Sequence, residues 1–214
     1  PDLEAALRAH GLTLGHFPQS FELSTLGGWI ATRSSGQQSL GYGRIERLFA
    51  GGRVETPSGR LDLPCFPASA AGPDLRELVL GSEGRLGVVT EATVRVSPLP
   101  EREEVHGVFL PDLATAIAAV RELIATRLPL SMLRLSTPDE TRTTLLLAGH
   151  ERLVRALEAY LSFRGAKEEK CLLLLAVTGS ENLVRQTRRQ VLGLLAMRGG
   201  VAAGKAFGRE WHRS

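Results

Sequence analysis

Hydrophobic and polar residues alternate in short segments over the first hundred residues and in longer segments after them. Residues 88–96 read Val-Val-Thr-Glu-Ala-Thr-Val-Arg-Val, and this period of two predicts a strand with one buried face. The other patterns in this half predict a small sheet with short helices: helices over 3–9, 26–33 and 73–80, strands over 45–50, 53–56 and 60–63, and a turn at 57–59.

Longer helices alternate with strands from residue 101 onward. The apolar run 171–177 predicts a central strand buried on both faces, and Thr137 with Glu140 forms a capping box that opens a helix. Other segments predict strands over 105–110 and 129–135, and helices over 113–127, over 153–163 and from Ser180 to about residue 198, where Gly199 and Gly200 end it. The fold class is therefore α+β, with a boundary near 97–104 and domains at 1–100 and 101–214. The second domain is predicted to be a ferredoxin-like sheet with helices on one face.

The composition is that of an ordinary soluble globular protein, with 43% hydrophobic and 23% charged residues among 214. It excludes a disordered, collagen-like or disulfide-stapled chain. Glycine is frequent, with 23 residues, and it permits sharp turns and close backbone approach to a ligand, so a glycine-lined site is expected. Because the chain begins with Pro1 rather than Met, we expect an excerpt of a longer polypeptide.

Charge, cysteines and hydropathy narrow the functional classes. The formal net charge is +3, and no basic run carries interleaved aromatic residues, so we expect no nucleic-acid partner. Cys65 and Cys171 stand alone, which predicts reduced core thiols in a cytoplasmic protein. The five histidines are scattered without metal-ligand spacing, so we expect no metal site. The longest apolar run, 171–177, is far shorter than the roughly 20 residues of a membrane span, so we expect no stable membrane insertion.

A glycine-rich segment, Gly81-Ser82-Glu83-Gly84-Arg85-Leu86-Gly87, precedes the strand predicted from residue 88. Glycine at every third position lets successive backbone N–H groups point into one concavity, which can hold a phosphate or the edge of an electron-rich ring. The segment is not the dinucleotide-binding fingerprint, because it follows a helix and opens a strand. The alternative is a glycine-rich turn with no ligand.

A second candidate binding segment spans residues 24–36, where Ser24 or Thr25 is the predicted N-cap of a helix. Gly27 and Gly28 let a cofactor lie against bare backbone. Hydroxyl groups that can donate to phosphate or flavin oxygens belong to Thr25, Thr32, Ser34 and Ser35. The alternative is a capped helix with two tightly packed glycines and a serine-rich exit loop. Two such segments in one lobe favour a binding site.

Two further features carry candidate chemistry. Residues 199–206 are one residue short of a P-loop and end in Ala206, where a hydroxyl would be needed, so we expect no nucleotide-hydrolysing P-loop. Arg134, between Leu133 and Leu135 on a predicted strand, can hold a phosphate or a carboxylate in a cleft. The alternative is a solvated charge on the face of a strand.

Residues 17–25 (Phe-Pro-Gln-Ser-Phe-Glu-Leu-Ser-Thr), 32–36 (Thr-Arg-Ser-Ser-Gly) and 42–46 (Tyr-Gly-Arg-Ile-Glu) occur in this order along the chain. With residues 72–74 and 81–93, they resemble the flavin-binding lobe of the alkyldihydroxyacetonephosphate synthase family. That family belongs to the vanillyl-alcohol oxidase (PCMH-type) FAD-binding proteins. The 32–36 element distinguishes the chain from glycolate oxidase and lactate dehydrogenase relatives. Segments 131–135 and 199–204 extend the resemblance to the end of the chain.

The resemblance implies a fold, a cofactor and a set of site residues. Residues 1–100 would be the second lobe of a PCMH-type FAD-binding domain, and residues 101–214 an incomplete ferredoxin-like substrate or cap domain. Arg134 would be an active-site arginine. The residues that would contact FAD are Gln19, Ser20, Phe21, Glu22, Leu23, Ser24, Thr25, Thr32, Arg33, Ser34, Ser35, Gly81, Ser82, Glu83, Gly84, Arg85, Leu86 and Gly87.

The same resemblance implies a function and a position within a longer protein. The pyrophosphate loop would precede Pro1 and the catalytic tyrosine and histidines would follow Ser214, so the chain is expected to be a middle section, inactive alone. The expected activity replaces the acyl group of acyl-dihydroxyacetone phosphate with a fatty alcohol. The expected partner is a small-molecule substrate, and a homodimer is a possible assembly. The alternatives are an FAD-linked oxidase of a 2-hydroxy acid such as glycolate or D-lactate, and a non-catalytic ferredoxin-like binding module.

Overall fold

The structure, a computed structural model, describes residues 1–66, 71–147 and 151–203. The chain divides into two compact units, Pro1–Leu99 and Pro100–Ser214. The described elements of the first unit are α1 (Asp2–Arg8), β1 (Leu12–Thr13), α2 (Leu26–Ala31), α3 (Ser39–Tyr42), α4 (Ile45–Leu48), β2 (Phe49–Thr56), β3 (Gly59–Leu63), α5 (Leu75–Val79), β4 (Val88–Val94) and β5 (Ser97–Pro98).

The first unit is built on an antiparallel sheet of strand order β3-β2-β4, and β1 pairs separately with β5. Trp29 and Ile30 of α2 are buried in one core with Phe49 and Val54 of β2. The predicted helix 3–9, turn 57–59 and strand 88–96 are present with small changes at their ends.

Two predictions for the first unit are wrong. The strand predicted over 45–50 is wrong at residues 45–48, because Ile45–Leu48 forms a helical turn and β2 begins at Phe49. Ile45 and Leu48 are three apart and both lie in the same core, which a helix permits and the alternating faces of a strand do not. The helix predicted from Pro73 begins two residues later, because the Asp74 carboxylate caps it by accepting a hydrogen bond from the N–H of Arg76 at 3.0 Å.

The second unit contains one four-stranded antiparallel sheet among its described residues, in the order β7-β8-β6-β9. The central position predicted for the apolar strand is confirmed, because β8 lies between β7 and β6. The elements are β6 (Arg102–Leu110), α6 (Leu113–Ala125), β7 (Met132–Leu135), α7 (Pro138–Leu147), α8 (Glu151–Phe163), β8 (Cys171–Gly179), α9 (Glu181–Met197) and β9 (Val201–Ala202).

Helices cover both faces of this sheet, so the prediction of helices on one face is wrong. Leu173 and Leu175 of β8 are buried with residues of α6 and α9. Leu172 and Leu174 point to the other face and are buried with residues of α7 and α8. A strand that is apolar on both faces must be covered on both, and the α+β class itself is confirmed.

Local features of the second unit follow the sequence closely. Thr137 and Glu140 form the predicted capping box, because the N–H of Thr137 donates to the Glu140 carboxylate at 2.8 Å and the N–H of Glu140 donates to Thr137 Oγ1 at 3.3 Å. Ser180 caps α9 through the N–H of Leu183. The prediction that both cysteines are core thiols is wrong for one of them, since Cys171 is buried and Cys65 is exposed.

The described residues lack both a membrane-spanning helix and a cluster of metal-ligating side chains. None of their helices is both long and apolar enough to cross a bilayer. They also contain no group of three His, Cys, Asp or Glu side chains that could hold a metal ion. The P-loop-like segment 199–206 lies outside the described residues from Gly204 onward.

Candidate cofactor-binding site

Helix α2 forms the centre of the candidate site, and its N-terminus is fixed by its own sequence. Of the two predicted caps, the structure selects Thr25, whose Oγ1 accepts a hydrogen bond from the N–H of Gly28 at 3.1 Å. Trp29 and Ile30 are buried, whereas Gly28 and Thr32 are exposed. The helix therefore turns one face to the core and presents a face of small residues to the outside.

The two glycines of α2 have different roles. A Cβ atom on Gly27 would lie 3.4 Å from the backbone oxygen of Val89, so this glycine faces β4 and permits close packing of helix on strand. A Cβ atom on Gly28 would meet only Thr25 Oγ1, at 3.3 Å. Gly28 thus leaves bare backbone on the exposed face of α2.

An aromatic cluster holds residues 20–24 against α2. The rings of Phe21 and Trp29 are stacked, with centroids 5.8 Å apart, and Trp29 Nε1 donates to Ser24 Oγ at 2.6 Å. Ser24 Oγ in turn donates to the carbonyl of Ser20 at 2.6 Å. The hydroxyl of Ser24 is therefore occupied by the protein itself, while Leu23 projects outward, 94% exposed. Gln19 and Glu22 are also at the surface of this segment.

The exit from α2 is held by backbone contacts. Arg33 adopts the left-handed conformation, with φ of +51°, which is uncommon for a residue with a side chain. Gly36 is buried, and a Cβ atom there would lie 2.6 Å from the backbone nitrogen of Phe17. The N–H of Gln37 donates to the carbonyl of Phe17 at 2.9 Å. Ser35, between these anchored residues, is exposed.

The two segments that the sequence singled out separately are in direct contact. The N–H of Gly81 donates to the carbonyl of Ile30 at 3.1 Å, and the N–H of Glu83 donates to the carbonyl of Ala31 at 2.8 Å. Loop 81–87 is thus bonded to the last turn of α2. The structure brings the predicted FAD-contacting segments 19–25, 32–35 and 81–87 together in the first unit.

These same bonds overturn one part of the prediction for loop 81–87. Besides Gly81 and Glu83, the N–H of Ser82 donates to the carbonyl of Val79 and the N–H of Arg85 donates to that of Ser82. Four N–H groups are therefore engaged with the chain's own carbonyls and do not point together into a concavity. The carbonyls that end α2 accept two of these bonds, and no local sequence pattern places them beside this loop.

The glycines of this loop are needed for several reasons. Gly87 permits close packing, because a Cβ atom there would lie 2.1 Å from the backbone oxygen of Glu55. Gly81 and Gly84 have φ of +76° and +80°, and a Cβ atom on Gly84 would meet no atom within 4 Å. Glu83 is also left-handed, with φ of +51°. Non-glycine residues in that conformation concentrate at functional sites.

The residues present fit a flavin dinucleotide as part of its site. The exposed face offers bare backbone at Gly28 and Gly84, hydroxyl groups at Thr32 and Ser35, and the exposed guanidinium of Arg85. The Thr32 hydroxyl donates to the Gly28 carbonyl at 2.9 Å, so its oxygen remains an acceptor. Bare backbone leaves room for the flat flavin ring. Hydroxyl and guanidinium groups can form hydrogen bonds to the ring oxygens and to the phosphates of the dinucleotide.

Arg134 belongs to the second unit. It lies on β7 opposite Leu174 of β8, and its side chain is exposed. The pKa of the Glu140 carboxyl is lowered mainly by the N–H and hydroxyl of Thr137, and the charge of Arg134 lowers it further. Arg134 makes no ion pair with any residue that the structure describes.

His16, one of the five scattered histidines, is not among the residues that the sequence singles out. The side chain is completely buried, and its Nε2 lies 2.7 Å from Ser34 Oγ. Burial lowers the pKa of His16, and the carboxylate of Glu46 opposes that shift. The contact with Ser34 spans 18 residues of sequence, so only the folded structure reveals it.

Comparison with known proteins identifies two families along the chain. Residues 1–62 match the FAD binding domain, and residues 99–210 match the C-terminal domain of FAD linked oxidases. The first match confirms FAD as the cofactor. The second covers more than half of the chain.

Individual relatives extend this similarity. The chain is 35% identical to the alkyldihydroxyacetonephosphate synthase of Dictyostelium discoideum. The match covers 99% of this chain and 36% of that protein. A solved structure of an alkyldihydroxyacetonephosphate synthase superposes with a TM-score of 0.86 at 34% identity, covering 99% of this chain and 39% of that one. The glycolate oxidase subunit of Bacillus subtilis is 33% identical over 59% of the chain and 27% of its own length. The chain thus spans about a third of the relatives that it matches.

Proposed function

Because the chain belongs to the family of FAD-linked oxidases, we propose that it is part of an FAD-dependent enzyme of the alkyldihydroxyacetonephosphate synthase type. In this proposal, residues 1–100 are the FAD-binding lobe and residues 101–214 belong to the substrate domain. The substrates are acyl-dihydroxyacetone phosphate and a fatty alcohol, and the acyl group is exchanged for the alkyl group without net oxidation.

The observation that supports this choice is the extent of the similarity. The similarity to the synthases of Dictyostelium discoideum and Trypanosoma brucei brucei covers 99% of the chain, through both units, and the solved synthase structure superposes with a TM-score of 0.86. The likeness to the glycolate oxidase subunit covers only 59%. Relatives that share the cofactor but not the substrate are expected to match less well where the substrate binds.

FAD supplies the reactive centre when it is bound, and the residues of this chain bind and orient the cofactor and the substrate. The exposed face of α2 and loop 81–87 would lie against the cofactor. Thr32 and Ser35 would contact its oxygens, and Arg85 would balance negative charge. In the second unit, the Arg134 guanidinium would hold the substrate phosphate through paired N–H donors.

A second candidate is an FAD-linked oxidase of a 2-hydroxy acid, which the similarity to the glycolate oxidase subunit supports. The cofactor site would be the same, and Arg134 would hold a carboxylate instead of a phosphate. The family assignment gives no support to a non-catalytic binding module.

The full-length protein tests the choice between the two activities. Purified with FAD, it is incubated with acyl-dihydroxyacetone phosphate and radiolabelled hexadecanol, and label in the ether product is measured. A parallel assay measures dye reduction with glycolate or D-lactate. Ether product without dye reduction supports the synthase, and dye reduction without ether product selects the oxidase. The absence of protein-bound flavin after addition of FAD and removal of the unbound cofactor would overturn both.

Arg134→Ala tests the phosphate-binding role in the same protein. Loss of the guanidinium is expected to raise the KM for acyl-dihydroxyacetone phosphate at least tenfold, because charge-assisted hydrogen bonds to phosphate are lost. Arg142→Ala is the matched control, since Arg142 is an exposed arginine of α7 that pairs with Asp139 at 3.4 Å. Equal KM values for the two variants would remove Arg134 from the substrate site.

A further inference from the structure

His16 and Ser34 join the interior of the first unit to the surface of the candidate cofactor site. The His16 side chain is completely buried, whereas Ser34 is partly exposed on the segment that leaves α2. His16 Nε2 and Ser34 Oγ are 2.7 Å apart, a short hydrogen bond. A group that lies behind the surface thus makes direct contact with a residue that FAD is proposed to touch.

The backbone of Ser34 is fixed on both sides. Its N–H donates to the carbonyl of Trp29 at 3.0 Å, and its carbonyl accepts from the N–H of Ile45 at 3.4 Å. With both backbone groups engaged, the remaining freedom of Ser34 is the rotation of its side chain. The bond to His16 removes that freedom as well.

His16 is itself held in one orientation. Its ring lies 5.2 Å from that of Trp29, at an angle of 59°. Its Nδ1 is buried and makes no hydrogen bond with any residue that the structure describes. Leaving a polar nitrogen buried without a partner is costly, and an apolar side chain would fill the space without that cost. Packing alone therefore does not account for an imidazole at this position.

Either tautomer of the neutral ring orients the Ser34 hydroxyl. If Nε2 carries the proton, it donates to Oγ, and the O–H of Ser34 is turned to another acceptor. If Nε2 is bare, it accepts the O–H, and the oxygen of Ser34 keeps both lone pairs as acceptors. In both cases the bond to Nε2 fixes the position of Oγ: in the first the hydroxyl can still donate to the site, and in the second it can only accept.

We propose that His16 is a positioning residue that fixes the Ser34 hydroxyl for a hydrogen bond to bound FAD. The proposal rests on the proposed function, because it requires that residues 32–35 contact the cofactor. His16 does not touch FAD in this arrangement and acts through Ser34.

The test measures the Kd for FAD and the flavin absorption spectrum in the full-length protein and four variants. His16→Phe keeps a buried ring and removes the hydrogen bond, and Ser34→Ala removes its partner. Each is expected to weaken FAD binding about tenfold and to shift the flavin bands. The double variant is expected to bind FAD no more weakly than the weaker-binding single variant. His16→Gln, whose amide can reach the place of Nε2, is expected to recover most of the affinity.

The control variant is Thr141→Val in the second unit. Thr141 is completely buried and its Oγ1 accepts from the N–H of Leu172 at 2.9 Å, so the change also removes a buried hydrogen bond. It is expected to lower the thermal stability and to leave the Kd and the flavin spectrum unchanged. A Kd that rises equally in this control would show that the His16 effect is general destabilisation and would overturn the inference.

The outcomes separate this inference from the proposed function. If the unchanged protein does not bind FAD, the proposed function fails together with the inference. If it binds FAD and both His16→Phe and Ser34→Ala keep its Kd and spectrum, only the inference fails. If His16→Phe does not fold, Ser34→Ala decides, since an unchanged Kd and spectrum in that variant overturn the inference. Additive losses in the double variant would also overturn it.

Discussion

The backbone N–H of Glu83 donates a hydrogen bond to the carbonyl of Ala31 at 2.8 Å. The bond satisfies a carbonyl at the end of α2 and fixes loop 81–87 beside the residues that leave the helix. Glu83 makes it from a left-handed backbone conformation, with φ of +51°. The position of the loop therefore depends on a conformation that few side chains tolerate.

Substitutions at Glu83 test this dependence. Glu83→Val is expected to destabilise the full-length protein by about 1–2 kcal/mol, because a β-branched side chain is strained at positive φ. Glu83→Gly is the matched control and is expected to be neutral or slightly stabilising, since glycine adopts this conformation freely. Thermal unfolding measures both. A Val variant as stable as the Gly variant would contradict the left-handed conformation.

Paired substitutions in β8 test whether both faces of its sheet are covered. Leu172 and Leu173 are completely buried on opposite faces, so each substitution to Ala is expected to cost about 2–5 kcal/mol of unfolding free energy. Leu146→Ala, at a position 75% exposed, is the control and is expected to cost far less. Denaturant unfolding measures the unfolding free energy of each variant. A small loss of unfolding free energy for either β8 variant would mean that helices do not cover that face of the sheet.

Two glycine-to-alanine changes are expected to act in opposite directions. Gly36→Ala is expected to destabilise the protein, because the new Cβ atom would lie 2.6 Å from the backbone nitrogen of Phe17. Gly193→Ala, within α9, meets no atom within 4 Å and is expected to stabilise by about 0.5–1 kcal/mol through helix propensity. Thermal unfolding of both variants tests the pair. A stabilising Gly36→Ala would show that the exit from α2 is looser than described.

The titration of His16 gives a pH dependence of stability. Because burial lowers the pKa of His16 below its ordinary value of 6.5, the folded state binds fewer protons than the unfolded state near that pH. The contribution of the neutral ring is therefore fully present above about pH 6.5 and decreases as the pH falls through the interval between 6.5 and the lower pKa. The difference in unfolding free energy between the original protein and His16→Phe, measured from pH 5 to 8, isolates this contribution. A difference that does not vary with pH would rule it out.

Features set by neighbouring residues could be predicted from the sequence. Three such features are the N-cap of α2 at Ser24 or Thr25, the capping box of Thr137 and Glu140, and the apolar strand β8, and each depends on side chains a few positions apart. Local hydrogen bonding and periodicity are sufficient for such features. The same reasoning found loop 81–87 and the segment around α2, although not that they touch.

Features that depend on distant contacts could not be predicted. The helical turn at Ile45–Leu48 follows from the burial of both ends in one core, which the local pattern does not show. The N–H groups of Gly81 and Glu83 reach carbonyls about 50 residues away in sequence. The proposed role of His16 depends on its contact with Ser34, and a single histidine carries no sequence pattern that indicates such a contact.

The pairing of β6 with β8 also has a kinetic consequence. The ladder runs without a break from Arg102 opposite Gly179 to Leu110 opposite Cys171, and the intervening chain forms three helices and β7. Strands so far apart in sequence meet late in folding, because the loop between them must close first. Once formed and covered on both faces, their amide protons can exchange with solvent deuterium only when the whole unit opens. The amides of Leu173 and Leu175 should therefore be among the slowest to exchange, and their rates would report the global unfolding of the second unit.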